Sequence, residues 1–169
     1  MKRKDAGYCL LTVAIIICLI FLGSKTDLLK ENYSHLETGV SGYFAVLFLG
    51  ILFFIHIYLS VLRISDRKNA FFSALPFLTA CILPSALQPS SLLANLHLIL
   101  AYCSTGLSIL FTGKNLYFSS KKRKMIVFFL FGLLLCAGVY AYSIHLSVNT
   151  LSELFYCAGI LLCDLYFYF

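Results

Sequence analysis

A few histidine, acidic and asparagine side chains stand inside apolar segments or near their ends, where they could converge. The chain has only four histidines and seven acidic residues among 169. Side chains of these types can bind a ligand or metal and transfer protons. One candidate group, for ligand binding, lies near segment ends on one side: Glu37, Asn95, His97 and Glu153. A second candidate is a pair inside segments, suited to proton relay: His56 and Asp164.

The segments that position these side chains are strongly apolar. The chain is 61% hydrophobic and 12% charged, whereas a soluble domain is about half apolar and about a quarter charged. A water-soluble protein of this size could not bury so much apolar surface, so the composition predicts an integral membrane protein. Membrane spans are helices or closed barrels. The apolar runs lack the alternation of barrel strands, so we predict helices.

Six apolar segments approach the roughly 17–25 residues that span a bilayer. They cover approximately residues 8–23, 40–62, 70–87, 92–112, 125–143 and 151–169. The sequence therefore predicts an all-α fold, a polytopic membrane protein with one six-helix transmembrane domain over residues 1–169. A basic start and an apolar core also allow the first segment to be a signal peptide. No A-x-A cleavage site follows it, which favours an uncleaved span.

Lysine and arginine are distributed unevenly among the connections. Three of the connections together contain only two basic residues, Lys25 and Lys30. The other eleven lie at the N-terminus and in the two connections that alternate with these: Lys2, Arg3, Lys4, Arg63, Arg67, Lys68, Lys114, Lys121, Lys122, Arg123 and Lys124. The positive-inside rule then places both termini in the cytoplasm. Beside a span, the run from Lys121 to Lys124 indicates topology and contact with anionic lipid rather than nucleic-acid binding.

His56 and Asp164 lie at matching depths near the inner side. His56 is seven residues from Arg63, which places it roughly 10 Å from the inner boundary at about 1.5 Å per residue. A carboxylate at the centre of a span costs on the order of 3 kcal/mol, and less towards the edge. Aspartate is too short to reach far towards water. We therefore expect Asp164 to contact His56 or an inner lysine or arginine.

The sequence predicts no cofactor and no metal site of familiar spacing. The seven cysteines fall inside apolar runs without the paired spacing of zinc sites or disulfide scaffolds. His97 lies roughly 9 Å below the outer boundary. Its depth differs from that of His56 by roughly 10 Å in a core of about 30 Å, which argues against a haem with these two axial ligands. Zincin, nucleophile-elbow and P-loop motifs are absent.

Helix capping is the competing interpretation of the outer carboxylates. The stretches "SHLE" and "TLSE" have the form of a capping box, with Ser34 and Glu37 in the first and Thr150 and Glu153 in the second. Capping is favoured for Glu153, whereas capping and site chemistry stay open for Glu37. His35 and His145 are expected to be interfacial loop residues.

Three short features carry a family resemblance. The polar stretch "SHLETG", with Glu37, precedes the second span; Pro84 and "LQPSS" lead to His97; and Glu153 opens the last span. In this plan the chain resembles the bacterial six-helix membrane family called domain of unknown function 998, and is similar to the broader Frag1/DRAM/Sfk1-like membrane proteins. The resemblance implies a multi-pass protein of the bacterial plasma membrane, with Glu37, His97 and Glu153 in one outer-facing group. It implies no reaction.

Three classes of function follow as expectations. The first is a membrane protein that binds a lipid headgroup or small ligand in an outer-facing polar pocket. The second is a membrane-embedded metal-dependent hydrolase that uses the same outer histidine and glutamate residues. The third is a small transporter, with His56 and Asp164 as inner relay groups. Membrane lipids are the expected partners in each class, and no nucleic-acid partner is expected.

Overall fold

The fold was taken from a computed structural model, which describes residues 3–28, 31, 40–82, 92–145 and 148–169. Six helices and no strand occur in these ranges: α1 Arg3–Gly23, α2 Val40–Val61, α3 Arg67–Ile82, α4 Leu92–Phe118, α5 Lys124–His145 and α6 Thr150–Tyr168. The predicted all-helical fold is therefore confirmed for this part of the chain. All of these helices except α3 are long and apolar enough to cross a membrane.

The helix ends differ from the predicted spans because hydropathy marks apolar residues, whereas a helix continues wherever its backbone hydrogen bonds do. Thus α1 begins at Arg3 rather than at residue 8, and α4 continues to Phe118 rather than ending at residue 112. The start of α3 is set by a cap, since the Asp66 carboxylate accepts a hydrogen bond from the Asn69 N–H at 2.7 Å. The predicted third span, 70–87, extends past Ile82 into residues outside the described ranges.

The helices run alternately up and down, so that three begin and three end at each end of the bundle. We call one end the basic end; there α2, α4 and α6 finish and α1, α3 and α5 start. Most of the lysines and arginines of the described residues lie at this end, including Arg63, Lys114 and Lys121. The sidedness of charge predicted from the sequence is therefore matched by the helix order.

The most extensive helix contacts are α2 with α3 and α5 with α6, followed by α3 with α4. Two of these contacts are closest at a glycine. A Cβ atom on Gly50 of α2 would lie 2.8 Å from the Cys81 sulfur of α3, and one on Gly138 of α5 would lie 3.3 Å from the Ser152 carbonyl oxygen of α6. The absence of a side chain lets the backbones approach closely, as is common between membrane helices.

The core lies around α2 and α6. Phe53 of α2 stacks on Phe77 of α3 with ring centroids 4.8 Å apart, and Ile160 and Phe167 of α6 are fully buried. Many large apolar side chains point outward instead, from the helices α1 to α5; Leu10, Leu110 and Met125 are among the most exposed. A continuous apolar exterior of this kind is typical of a surface that meets lipid rather than water.

Candidate functional site

The side chain of His56 is completely buried and lies at the junction of three helices. Its Nδ1 is 3.2 Å from Oδ2 of Asp164 on α6 and 3.3 Å from the hydroxyl of Tyr8 on α1. Its Nε2 is 2.9 Å from the hydroxyl of Thr12, one turn further along α1. The contact between His56 and Asp164 expected from their depths is therefore present. Its role in function stays a prediction.

Asp164 is also fully buried, and each of its carboxylate oxygens has a partner. Oδ2 faces His56, and Oδ1 accepts a hydrogen bond from the Ser60 hydroxyl at 2.9 Å. Both residues lie well inside their helices, so the surrounding low dielectric strengthens these bonds. We call these five residues the His56–Asp164 cluster: Tyr8, Thr12, His56, Ser60 and Asp164.

The hydrogen bonds of the cluster favour a proton between His56 and Asp164, although the Tyr8 hydroxyl also lies within reach of Nδ1. The Thr12 hydroxyl donates to the Tyr8 carbonyl at 3.0 Å, so it accepts from His56, and Nε2 carries a hydrogen. If Nδ1 carried none, its lone pair would face the Asp164 carboxylate at 3.2 Å. The contact is attractive when Asp164 donates a proton to Nδ1 or when His56 is protonated on both nitrogens. Both arrangements are tautomers of one shared proton.

A stack of rings connects the cluster to the basic end. The Tyr8 ring lies against His56 with centroids 4.4 Å apart and against Tyr168 with centroids 3.6 Å apart. The Arg63 guanidinium lies 4.3 Å from the centroid of the Tyr168 ring and donates to its hydroxyl at 2.9 Å. This hydrogen bond raises the pKa of Arg63. Asp5 approaches the same guanidinium at 3.7 Å. The stack therefore ends in a pair of opposite charges at the basic end.

The end of α6 is held by Lys121. Its ammonium donates to the carbonyl oxygens of Tyr166 at 2.9 Å and of Phe167 at 2.6 Å. A cation at this position satisfies carbonyls that lack partners in the last turn and opposes the negative end of the helix dipole. Burial, together with the nearby charge of Arg63, lowers the pKa of Lys121. The Tyr166 hydroxyl donates back to the Lys121 carbonyl at 2.9 Å.

A second polar system follows one face of α4. Its members are buried: His97, Ser104, Ser108, Thr112, Asn115 and Ser119. From Ser104 onward the spacing of three or four residues places them on a single helix face. We call this set the α4 row. Its hydroxyls meet α3 and α6, since Ser104 lies 3.0 Å from the Thr79 hydroxyl and Ser108 is hydrogen-bonded to the Tyr156 hydroxyl.

The amide of Asn115 anchors the row at the basic end. Its Oδ1 accepts from Asn69 Nδ2 at 2.7 Å, and its Nδ2 donates to the Ser73 hydroxyl at 3.1 Å. Asn69 also donates to the Ser65 hydroxyl at 3.0 Å. The start of α3 is thereby fixed to the last turns of α4 by a chain of side-chain hydrogen bonds.

The outer candidate group is only partly described. His97 is buried, Asn95 is exposed and Glu153 is half-buried. Glu37 and His35 lie outside the described residues, as do Pro84 and the side chain of His145. Whether Glu37, His97 and Glu153 converge therefore stays a prediction. In the described ranges no three His, Cys, Asp or Glu side chains are grouped so that they could hold a metal ion.

The predicted capping box of α6 was wrong by one residue. The N-cap is Asn149, whose side chain accepts from the Ser152 N–H at 2.9 Å, while the Asn149 N–H donates to the Ser152 hydroxyl at 3.1 Å. Thr150 is instead the first residue of the helix, and its N–H and hydroxyl both donate to the Glu31 carbonyl. Glu153 is left in the first turn, where its charge suits the positive end of the helix dipole.

The spacing of polar residues in the sequence indicates the cluster, which residue depth alone does not reveal. Each of the three helices contributes two polar residues four positions apart, which are neighbours on one helix face: Tyr8 and Thr12, His56 and Ser60, Asp164 and Tyr168. The α4 row likewise repeats at helical spacing. Polar side chains with this periodicity inside apolar segments indicate the faces that meet other helices.

Comparison with known protein families, with curated proteins and with solved structures finds no match. The resemblance to domain of unknown function 998 thus stays a prediction based on the three short features of the sequence.

Proposed function

We propose that the protein is a multi-pass protein of the cell membrane, with six transmembrane helices and both termini in the cytoplasm, and that it is a small proton-linked transporter. Support for the membrane location comes from the five long apolar helices and the apolar exterior. The concentration of lysine and arginine at the basic end supports a cytoplasmic position for that end. The third predicted span, 70–87, contains most of α3, which packs between α2 and α4.

The observation that carries the transport proposal is the buried contact between His56 and Asp164, which one shared proton would make attractive. Their side chains are 0% and 1% exposed. Ionisable residues inside membrane spans are costly and rare, and they commonly form proton relays. A purely structural contact between these helices would need only the hydroxyls that the cluster already contains. The pair adds titratable groups to that contact, and titration is what a relay requires.

Proton gain or loss would change the charge of the pair and so its preferred surroundings. With one shared proton the pair is neutral overall. Loss of that proton leaves a carboxylate without its counter-charge, and gain of a second proton leaves an imidazolium beside a neutral acid. Either state is unfavourable in a dry site and favours contact with water or with a compensating charge. Opening of the bundle at this point would let the pair exchange its proton with water on either side, so that protons cross the membrane even when no other solute is present.

The α4 row is the best candidate for the solute path. Small hydroxyl groups and one amide line this face of α4 from His97 near one end to Ser119 at the other. Hydroxyls can exchange hydrogen bonds with each other or with a small polar solute at little cost. The row also meets α6 at Tyr156, on the same helix as Asp164. A shift of α6 would therefore affect both polar systems.

Proton flux into vesicles tests this function. The full chain is reconstituted into vesicles that contain a pH-sensitive dye, and a potassium diffusion potential drives protons inward. We expect the internal pH to fall faster than in protein-free vesicles, and Asp164→Asn to reduce the rate to the protein-free level. The control Asp5→Asn removes the same charge at a half-buried site outside the cluster and should keep the wild-type rate.

Two results would contradict the proposal. One is a wild-type rate equal to that of protein-free vesicles. The other is an Asp164→Asn rate equal to the wild-type rate, which would leave the pair with a role in packing alone. Circular dichroism of the reconstituted variants establishes that any loss of flux occurs in a folded protein.

A further inference from the structure

A polar cavity of about 540 Å³ opens at the basic end of the bundle. It lies between the α2–α3 connection and the last turns of α4 with the connection that follows. Sites for small ligands commonly measure about 300–1,000 Å³. The cavity is outside both the His56–Asp164 cluster and the outer candidate group, so neither accounts for it.

The charges that line the cavity favour an anion. Three cationic side chains border it, Arg63, Lys114 and Lys121, against a single carboxylate, Asp66. That carboxylate caps α3 through its hydrogen bond with the Asn69 N–H. One of its oxygens is therefore already engaged as an acceptor and is less available to bind a cation. A concave site with a surplus of one charge raises the local concentration of ligands of the opposite charge.

The three cations have different surroundings. Arg63 is held on Tyr168, and Lys121 on the carbonyls at the end of α6. Their charges are therefore fixed at one side of the cavity. Arg63 still has further N–H donors beyond the one that Tyr168 accepts. Lys114 of α4 also lines the cavity and is exposed, so its ammonium can move to meet a ligand.

The neutral part of the lining is also organised for an anion. Asn69 and Asn115 line the cavity and are hydrogen-bonded to each other at 2.7 Å. The first turn of α3 borders the same space, and the positive end of its dipole favours negative charge. Polar walls of this kind suit a headgroup or a soluble ester, whereas an acyl chain would need an apolar groove.

We propose that this cavity binds a phosphate-bearing anion, which is either the headgroup phosphate of an inner-leaflet lipid or a free phosphate ester of the cytoplasm. The tetrahedral anion lies among Lys114, Arg63 and Lys121. The proposal does not depend on transport, because it rests on the cavity and its charges alone.

Binding to the purified full-length protein in a neutral detergent tests the proposal. Isothermal titration is performed with three probes: inorganic phosphate, dihexanoyl phosphatidylglycerol and, as a zwitterionic reference, dihexanoyl phosphatidylcholine. We expect phosphate or phosphatidylglycerol to bind more tightly than phosphatidylcholine. Lys114→Gln should weaken that binding about tenfold, the effect of losing one hydrogen bond between charged groups. Lys114→Arg should keep it.

A matched lysine separates a built site from general attraction to a basic surface. Lys122→Gln makes the same change in net charge at the same end of the bundle, from a side chain that does not line the cavity. It should change the affinity by less than about twofold, as an exposed charge does. Binding of phosphatidylglycerol alone assigns the site to lipid, and binding of phosphate assigns it to a soluble ester. Equal losses in both glutamine variants, or no binding of either anionic probe, would overturn the proposal.

Discussion

The two buried polar systems of the bundle differ in the charge of their members. The His56–Asp164 cluster contains an ionisable pair that shares a proton, and three helices contribute to it. The α4 row consists mostly of neutral hydroxyl and amide groups from α4 and the residue that follows it, and most of their side-chain contacts are single hydrogen bonds to α3 or α6. Loss of one partner leaves a buried ionisable group in the first system but only an unpaired dipole in the second. We therefore expect the cluster to be much more sensitive to substitution.

The largest expected effect is that of Asp164→Ala. It leaves the His56 imidazole without its carboxylate partner, whereas the Ser60 hydroxyl keeps the Ile57 carbonyl as an acceptor at 2.8 Å. Removal of one partner of a buried ion pair costs about 3–5 kcal/mol. The double variant His56→Leu with Asp164→Leu should recover most of this loss, because apolar side chains can replace both partners. The free energy of unfolding is measured by titration of neutral micelles with a denaturing detergent.

A loss of less than about 1 kcal/mol for Asp164→Ala, the value of an ordinary hydrogen bond, would remove the distinction between the two systems. A double variant as unstable as the single one would show that the pair itself, rather than the unpaired charge, supports the fold.

An intermediate effect is expected for Asn115→Ala. The substitution leaves the Ser73 hydroxyl without the amide that donates to it and removes the acceptor of Asn69. Unsatisfied buried neutral groups cost about 1–3 kcal/mol, so we expect a loss of about 2 kcal/mol in the same titration. Substitution of the adjacent exposed Lys114 by alanine should change stability by less than about 0.5 kcal/mol. Equal losses of stability in the Asn115 and Lys114 variants would show that the hydrogen bonds of the Asn115 amide do not stabilise the fold.

The smallest effect is expected within the hydroxyl part of the row. Ser104→Ala removes one hydrogen bond to Thr79, and such bonds between membrane helices are worth about 0.6 kcal/mol on average. A double-mutant cycle of Ser104→Ala with Thr79→Val measures the coupling directly. A coupling above about 2 kcal/mol would exceed the largest values known for such bonds. It would show that the row is as sensitive to substitution as the cluster.

The contact between His56 and Asp164 could be predicted from the sequence for a simple physical reason. Both lie in long apolar segments with few other polar groups, so their depth was set by counting residues from a charged boundary. Two costly side chains at one depth have few alternatives to each other. The same counting could not identify Tyr8 and Thr12 as partners, because their positions depend on how α1 is rotated against α2.

The cap of α6 shows where local pattern failed. The residues Thr150 and Glu153 fit a capping box as well as Asn149 and Ser152 do. The choice was decided by a distant contact, since Glu31 accepts hydrogen bonds from both the N–H and the hydroxyl of Thr150. That contact joins positions more than a hundred residues apart and has no signature in the stretch "TLSE".

By itself the sequence determined the helical class, the approximate positions of the helices and the end of the bundle that carries the basic residues. These follow from apolar length and charge, which are properties of single segments. Only the tertiary structure decided that Tyr8, Thr12 and Ser60 surround the His56–Asp164 pair, that the polar face of α4 is buried, and that a cationic cavity lies beside Lys114. These depend on the rotation of each helix about its axis, which is set by packing among several helices at once.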